Sequence, residues 1–338
     1  MSTPILTKNV NNFYGYSFNS FHSIILKNEI ALPRAMKRNL ISMLDVKDDL
    51  EEIIDLAIQL KNKAKNGESI ELLKGKTLGM LFEKSSTRTR VSFETGMTKL
   101  GGHAIFLGKN DIQLGRGETI EDTALVLSRY VDIIMYRAMS NKDMKELAKH
   151  ATVPVISGLD DKEHPCQVIT DLMTIKEHKG ELKGLNFVYI GDGKNNMAHS
   201  YLLGCGIAGM NIRIVSPKKY WPDDYYVREA KKFGVKIELT DKVGGGTKNA
   251  DVVATDTWVS MGDEAEKEQR LKDFKGYTVT SDVMKHAKPD AIFLHCLPAY
   301  YGYEVTKEVA HGPQSVIFDE AENRMWAQIA IMITLTKK

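Results

Sequence analysis

The chain reads as an α/β protein: two doubly wound parallel-sheet domains joined by interdomain helices. Three observations carry that reading. Short apolar runs of strand type alternate with stretches of helical period along most of the sequence. The alternation falls into two series, with a proline-started helix between them. A length of 338 residues, 43% of them hydrophobic and 27% charged, suits two ordinary domains with buried cores.

In the first series Leu50, Ile53, Ile54, Ala57, Ile58 and Leu60 give an amphipathic helix within Leu44 to Lys65. Thr77 to Phe82 is an apolar strand, after which Phe93, Met97 and Leu100 recur at helical spacing and Gly101-Gly102 supplies a stop. His103 to Leu107 reads as strand, Thr119 to Tyr130 as a helix with a Thr-x-x-Asp cap, and Val131 to Tyr136 as a buried strand. Asn141 to His150 is a helix and Val153 to Ile156 a strand. The helix Pro165 to His178 bridges to the second series. There, strands are expected at Asn186 to Ile190, Asn211 to Val215, Val235 to Leu239, Asp251 to Thr255, Ala291 to Leu294 and Ser315 to Phe318, before a final helix from Glu320 to Thr336. The expected domains are 36–164 and 181–319, with 165–180 as the bridge, 320–338 as a C-terminal helix and 1–35 as a peripheral extension.

A formal net charge of +2, with Lys and Arg interspersed among Asp and Glu, provides no basic stripe for nucleic acid and no polybasic membrane patch. No apolar run reaches the length of a membrane span, and the first residues lack the pattern of a signal peptide. Cys166, Cys205 and Cys296 are an odd count without a CxxC pair, which points to a reducing compartment. A cytoplasmic location is therefore expected. Residues 1 to 28 contain no Asp or Glu, which keeps an organelle-matrix leader open as the alternative to a dispensable one.

The junction Phe82-Glu83-Lys84-Ser85-Ser86-Thr87-Arg88-Thr89-Arg90 is the most informative stretch. It gathers hydroxyls and guanidiniums where a helix exposes its unpaired first-turn N–H groups, the arrangement of a phosphate seat. Capping by Ser85 or Ser86 beside two solvated arginines is the plainer reading of the same residues. In open parallel sheets the ligand lies beyond the carboxyl ends of the strands. Arg137, His164 and Cys296 all fall at such ends, although an arginine ending a buried strand can equally be a salt-bridged rim residue.

Ser86-Thr87-Arg88-Thr89-Arg90 also resembles the carbamoyl-phosphate signature of the aspartate and ornithine carbamoyltransferases. His164-Pro165-Cys166-Gln167, Asp256-Thr257-Trp258-Val259-Ser260-Met261-Gly262, His295-Cys296-Leu297-Pro298 and Glu320-Ala321-Glu322-Asn323-Arg324 agree with that family in order and approximate spacing. The resemblance runs from about Met36 to the C-terminus. It implies that the first domain binds carbamoyl phosphate, with Ser86, Thr87, Arg88, Thr89 and Arg137 on the phosphate. His164, Arg137 and Thr89 would donate to the carbonyl oxygen. Gln167 and the backbone carbonyl of Leu297 would take the carbamoyl NH₂, and Arg324 would reach it from the last helix.

The second domain is implied to bind ornithine through Asn196, Asp256, Ser260 and the backbone of Met261, with Cys296 near the attacking amine and the carbamoyl group. Ser260-Met261-Gly262 and the charged residues after it read as a solvated loop that folds over the ligand. The implied reaction is carbamoyl transfer from carbamoyl phosphate to the δ-amine of L-ornithine, giving L-citrulline and phosphate through a tetrahedral intermediate. It serves arginine biosynthesis or the reverse, catabolic direction. The resemblance further implies a homotrimer or trimer multiple in which Gln113, in the loop Asp111-Ile112-Gln113-Leu114-Gly115, reaches phosphate bound by the neighbouring subunit. No cofactor, metal, nucleic acid or membrane is called for.

Other readings fit less well. Gly191-Asp192-Gly193-Lys194-Asn195-Asn196 looks like a dinucleotide fingerprint, but its third glycine position holds Asn196 and no acid ends the next strand. Two amides at a helix start instead suit an amino acid's carboxylate. His164, Cys166, His295 and Cys296 offer zinc-type ligands, yet their spacing matches no zinc knuckle, and neighbours leaving a strand are expected to point to opposite sides. Putrescine lacks the α-ammonium that Asp256 would bind, and aspartate would call for a more cationic pocket. A catalytically silent protein of the same fold would be free to lose residues that are all present here.

Overall fold

The computed structural model describes residues 39–114, 116–259 and 264–336; the expected extension 1–35 and the residues Ser260, Met261 and Gly262 lie outside the described residues. Ser42 and Asp45 form a capping box at the start of a 3-10 turn, Met43–Val46, and helix α1 follows separately at Leu50–Lys65, so the expected helix within Leu44 to Lys65 starts at Leu50. The first sheet contains β1 (Thr77–Phe82), β2 (His103–Gly108), β3 (Ile133–Arg137) and β4 (Val155–Leu159). Its crossovers are α2 (Thr87–Lys99), α3 (Ile120–Leu127) and α4 (Asn141–His150). The four strands are parallel, in the order β2-β1-β3-β4.

Helix α5 (Pro165–Lys179) begins with proline at its first turn and ends at Gly180, whose φ of 82° only glycine adopts freely. The second sheet holds β5 (Asn186–Ile190), β6 (Asn211–Val215), β7 (Ile237–Thr240), β8 (Val252–Thr255) and β9 (Ile292–His295). Between them run α6 (Asn196–Ile207), α7 (Asp224–Lys231), α8 (Val243–Gly246), α9 (Lys267–Asp273) and α10 (Ser281–Met284); α11 (Lys307–Ala310) and α12 (Ile317–Thr336) close the chain. This sheet is also parallel, in the order β7-β6-β5-β8-β9.

The expected strand Ser315–Phe318 does not form. Ser315 makes an isolated bridge to Phe293, and α12 starts at Ile317. The cause is local: once Val316 has donated to the Phe293 carbonyl, Asp319 and Glu320 enter the first helical turn, where carboxylates favour the positive helix end.

Leu78, Met80 and Leu81 of β1 and Ile133, Ile134 and Met135 of β3 are all fully buried. Strands covered on both faces by crossover helices require such unbroken apolar runs, and each buried side chain contributes about 1.5–3 kcal/mol. Helix α12 packs on α1, α2 and α5. Helices α5 and α6 also approach closely, since a Cβ added at Gly204 would lie 2.4 Å from Val168 Cγ1.

The strand orders locate the site. In the first sheet the chain reverses direction of winding between β1 and β3, whose ends pair Phe82 with Arg137; in the second it does so between β5 and β8, whose ends pair Ile190 with Thr255. Crevices open beyond the carboxyl ends of strands at such reversals. The residues after β1, β3, β5 and β8 are those that the sequence marks chemically.

Candidate active site

The first-sheet side of the site is cationic. Ser86 caps α2, its hydroxyl accepting from the Thr89 N–H at 3.2 Å, so Thr87 and Arg88 occupy the first turn with N–H groups facing the crevice. Arg88 is exposed and donates through Nη2 to the backbone carbonyl of Leu297. Arg137, at the end of β3, is only 5% exposed; its Nη1 donates to Thr89 Oγ1 at 3.4 Å, and its Nε has no hydrogen-bond partner among the described residues. Burial, then Arg324, then Arg88 lower its pKa to about 10.

Arg324 enters from α12, also buried, donating through Nη1 to Gln167 Oε1 and to His164 Nε2 at 3.3 Å, while its Nε and Nη2 lack partners among the described residues. A buried unsatisfied donor costs about 1–3 kcal/mol, more when charged. Cations so arranged want an anion.

His164 caps α5 through its backbone, and its own N–H is held by Ser200 Oγ at 2.7 Å. Burial first, then Arg324 and Arg137, push its pKa well below the usual imidazole range, so the ring is neutral. With Nε2 accepting from Arg324, the proton sits on Nδ1, which has no partner among the described residues. Nδ1–H is thus a donor free to meet a ligand's oxygen.

Beneath these groups lies a buried acid pair. Gln167 Nε2 donates to Asp171 Oδ1 at 2.7 Å and to Glu320 Oε1 at 3.0 Å. Tyr201 donates to Asp171 Oδ2 at 2.7 Å, and the His295 backbone N–H donates to Glu320 Oε2 at 2.9 Å. Burial raises Asp171 to about 6 and, followed by the charge of Asp171, lifts Glu320 well above the carboxylate range. The sequence reading missed both acids. Their signal was present, since Asp171 is four residues after Gln167 and Glu320 four before Arg324, each on its neighbour's helix face.

The second-sheet side is acidic. Asp256, following β8, accepts from the Thr257 N–H at 2.8 Å and from Cys296 Sγ at 3.3 Å through Oδ1, and from Asn195 Nδ2 at 3.3 Å through Oδ2. Burial raises its pKa and, with Asp256 as the next cause, raises Cys296 far above the thiol range, so Cys296 is a thiol donor. His295 accepts from the Leu297 N–H through Nδ1 at 2.9 Å and faces Glu304 through Nε2 at 3.2 Å.

His295 and Cys296 do not point apart as expected. Ligand atoms of Asp256, His295 and Cys296 lie within 4.8 Å of one another. Both imidazole nitrogens are nevertheless engaged, which leaves that ring no lone pair for a cation.

Thr87, Arg88, Gln167, Cys296 and Arg324 line one cavity of about 360 Å³. Asn196 stands aside, its amide donating to the Asp160 carbonyl at 2.7 Å, while its neighbour Asn195 is the one that reaches Asp256. Gln113 is exposed in the turn after β2, the outer strand of its sheet. Ser260 and Met261 lie outside the described residues. Gly193, which invited the nucleotide reading, has a steric reason to be glycine: an added Cβ would meet the Tyr220 carbonyl at 2.6 Å.

Fold and site have the form of a two-domain transferase whose crevice is cationic on one sheet's side and acidic on the other's. Residues 38–177 match the family model of the aspartate/ornithine carbamoyltransferase carbamoyl-P binding domain, and residues 183–335 match that of its Asp/Orn binding domain. The chain belongs to the aspartate/ornithine carbamoyltransferase family. An ornithine carbamoyltransferase of Methanosarcina acetivorans is 52% identical over 303 residues, 89% of this chain and 100% of that protein. One from Caldicellulosiruptor saccharolyticus is 54% identical over 291 residues, 85% and 94% of the two chains. The solved structure of the Pyrococcus furiosus ornithine carbamoyltransferase is similar with a TM-score of 0.84 at 49% identity, covering 88% of this chain and 96% of that one.

Proposed function

We propose that the chain transfers the carbamoyl group of carbamoyl phosphate to the δ-amine of L-ornithine, giving L-citrulline and phosphate. The observation that carries the reading is the set of buried, incompletely bonded guanidiniums of Arg137 and Arg324 beside the neutral His164, facing Asp256 across the crevice. In this reading Arg88, Arg137 and the first turn of α2 around Ser86, Thr87 and Thr89 hold the phosphate. The charge that grows as phosphate leaves is met by groups already in place. His164 Nδ1–H and Arg137 Nε–H donate to the carbonyl oxygen, which becomes the oxyanion when the amine nitrogen attacks. The Gln167 oxygen and the Leu297 carbonyl accept from the carbamoyl NH₂, and Arg324 sits against the same end.

Asp256 binds the α-ammonium of ornithine, and Cys296 lies beside the incoming δ-amine. Asn196, Ser260 and Met261 complete the amino-acid end on the strength of their sequence motifs alone. The C–N bond forms, the C–O bond to phosphate breaks, and the departing phosphate can carry away the amine's proton, so no enzyme-bound intermediate is needed. The same site serves both directions.

Two broader features belong to the proposal. One is a trimer in which Gln113 serves the neighbouring site; exposed Val91 (54%), Leu125 (41%), Val126 (45%) and Tyr130 (76%) on the first-sheet domain support an interface there. The other is a cytoplasmic location, supported by free Cys166, Cys205 and Cys296 and by the absence, among the described residues, of any helix able to cross a membrane. The test is citrulline formation with ornithine, putrescine and aspartate offered separately. Ornithine should be used in strong preference, and a preference for either of the others would overturn the assignment.

A further inference from the structure

We infer that Asp171 and Glu320 are positioning residues that make Gln167 an acceptor-only group toward the carbamoyl donor, and so set the enzyme's preference for an amide NH₂ over a group of the same size without N–H. The inference rests on the carbamoyl-transfer reading above and deepens it.

A primary amide presents two donors on one end and an acceptor on the other, and nothing in its shape decides which end faces a ligand. Here the surroundings decide. Both hydrogens of Gln167 Nε2 are taken, one by Asp171 Oδ1 at 2.7 Å and one by Glu320 Oε1 at 3.0 Å. The oxygen meets the guanidinium of Arg324, which uses one lone pair and leaves the other for a ligand. Gln167 is 4% exposed, Asp171 0% and Glu320 1%, so water cannot substitute for either acid. Gln167 also lines the cavity that Arg88, Cys296 and Arg324 share. A ligand there meets an oxygen and no N–H from this side chain.

The acids are themselves oriented. Tyr201 O–H occupies Asp171 Oδ2, and the His295 backbone N–H occupies Glu320 Oε2, so in each carboxylate the other oxygen is the one turned to Gln167. The His295 bond also joins β9 to α12, and the Gln167 bonds join both to α5, so one side chain's polarity is set by three elements.

This geometry makes Glu320→Gln a sharp probe. The His295 N–H must still meet an oxygen, which places the new NH₂ where Glu320 Oε1 now faces Gln167 Nε2. Two donors repel at that position, so the Gln167 amide is no longer held with its oxygen toward the ligand.

The test uses the full chain and two stable ligands of equal charge, carbamoylphosphonate and acetylphosphonate, which differ only in NH₂ against CH₃. Dissociation constants are measured by calorimetry. Wild type should favour carbamoylphosphonate by about a hundredfold, the weight of the two hydrogen bonds that Gln167 and the Leu297 carbonyl accept. In Glu320→Gln that ratio should fall about tenfold, the weight of the Gln167 bond, while Tyr201→Phe, which leaves both acceptors in place, should keep the wild-type ratio. Any change of charge near the site alters affinity for both ligands alike and cancels in the ratio. An unchanged ratio in Glu320→Gln, or equal weakening of both ligands, overturns the inference and leaves carbamoyl transfer standing. If wild type binds neither phosphonate, the transfer reading itself falls and the inference with it.

Discussion

Arg137 brings a guanidinium to 5% exposure in the company of Arg88 and Arg324, and burial with those two charges holds its pKa down at about 10. The fold therefore carries a repulsion that a neutral side chain of similar length would remove. Arg137→Met should raise the melting temperature while lowering kcat/KM by about 100-fold or more, the scale of losing one preorganised donor. Inorganic phosphate should raise the melting temperature of wild type more than that of the variant, because only a ligand that binds the folded state shifts the transition. A less stable Arg137→Met with full activity would remove the phosphate seat from consideration. Arg88, Arg137 and His164 stand out in the sequence because polar residues at strand ends and helix starts interrupt apolar runs, whereas Gln167 and Arg324 come into view only through the family's pattern. Asp171 and Glu320 carry only a four-residue spacing to Gln167 and Arg324, which reads equally as a solvated helix pair until α5 and α12 are packed together.

At the scale of elements, Glu163 ties the loop before α5 to the first turn of the described chain, accepting from the Met43 N–H at 2.9 Å and from Ser42 Oγ at 2.8 Å. Burial lifts its pKa from the ordinary 4.5 to about 7. The folded protein thus holds a proton in that window that the unfolded chain has released, and this group's contribution to stability falls as pH rises through it. Relative to wild type, Glu163→Gln should gain stability between pH about 5 and about 7.5 in urea titrations. A difference that does not change with pH would mean Glu163 titrates normally.

Gly204→Ala tests the α5–α6 approach and should cost about 1–3 kcal/mol, because Val168 must move to admit the methyl group. Period and flanking turns marked most strands to within a few residues. Ser315–Phe318 misled because a run of mixed apolar residues is equally a strand or the first turn of a buried helix, and the neighbouring acids decided it.

For the whole molecule, the proposed ring makes each site the property of two chains. Arg88→Ala damages the site on its own subunit, whereas Gln113→Glu sets a carboxylate against the neighbour's phosphate. Each variant alone should be almost inactive. Mixed rings contain one interface of three with both residues intact, so subunit exchange should restore about a third of the activity per mixed ring. If exchange is demonstrated by mass and no activity returns, the phosphate is held within one chain. No feature of one chain's periodicity or composition announces this arrangement, because a residue that serves a neighbour looks like any exposed loop residue; Gln113 came into view only through the family's pattern.

The bond from Arg88 to the Leu297 carbonyl joins the two walls of the crevice. Under the proposed chemistry both partners have other work, the guanidinium on phosphate and the carbonyl on the carbamoyl NH₂. A donor carrying both groups exchanges one internal bond for two new ones. Free phosphate replaces only half of it and leaves the carbonyl without its arginine. The fraction of molecules in which Arg88 is already released scales the apparent affinity of every ligand, but the whole donor recovers that loss and the product does not. Under that chemistry the departure of phosphate would be assisted by the protein closing the bond it opened, and the turnover would reset itself without any separate signal.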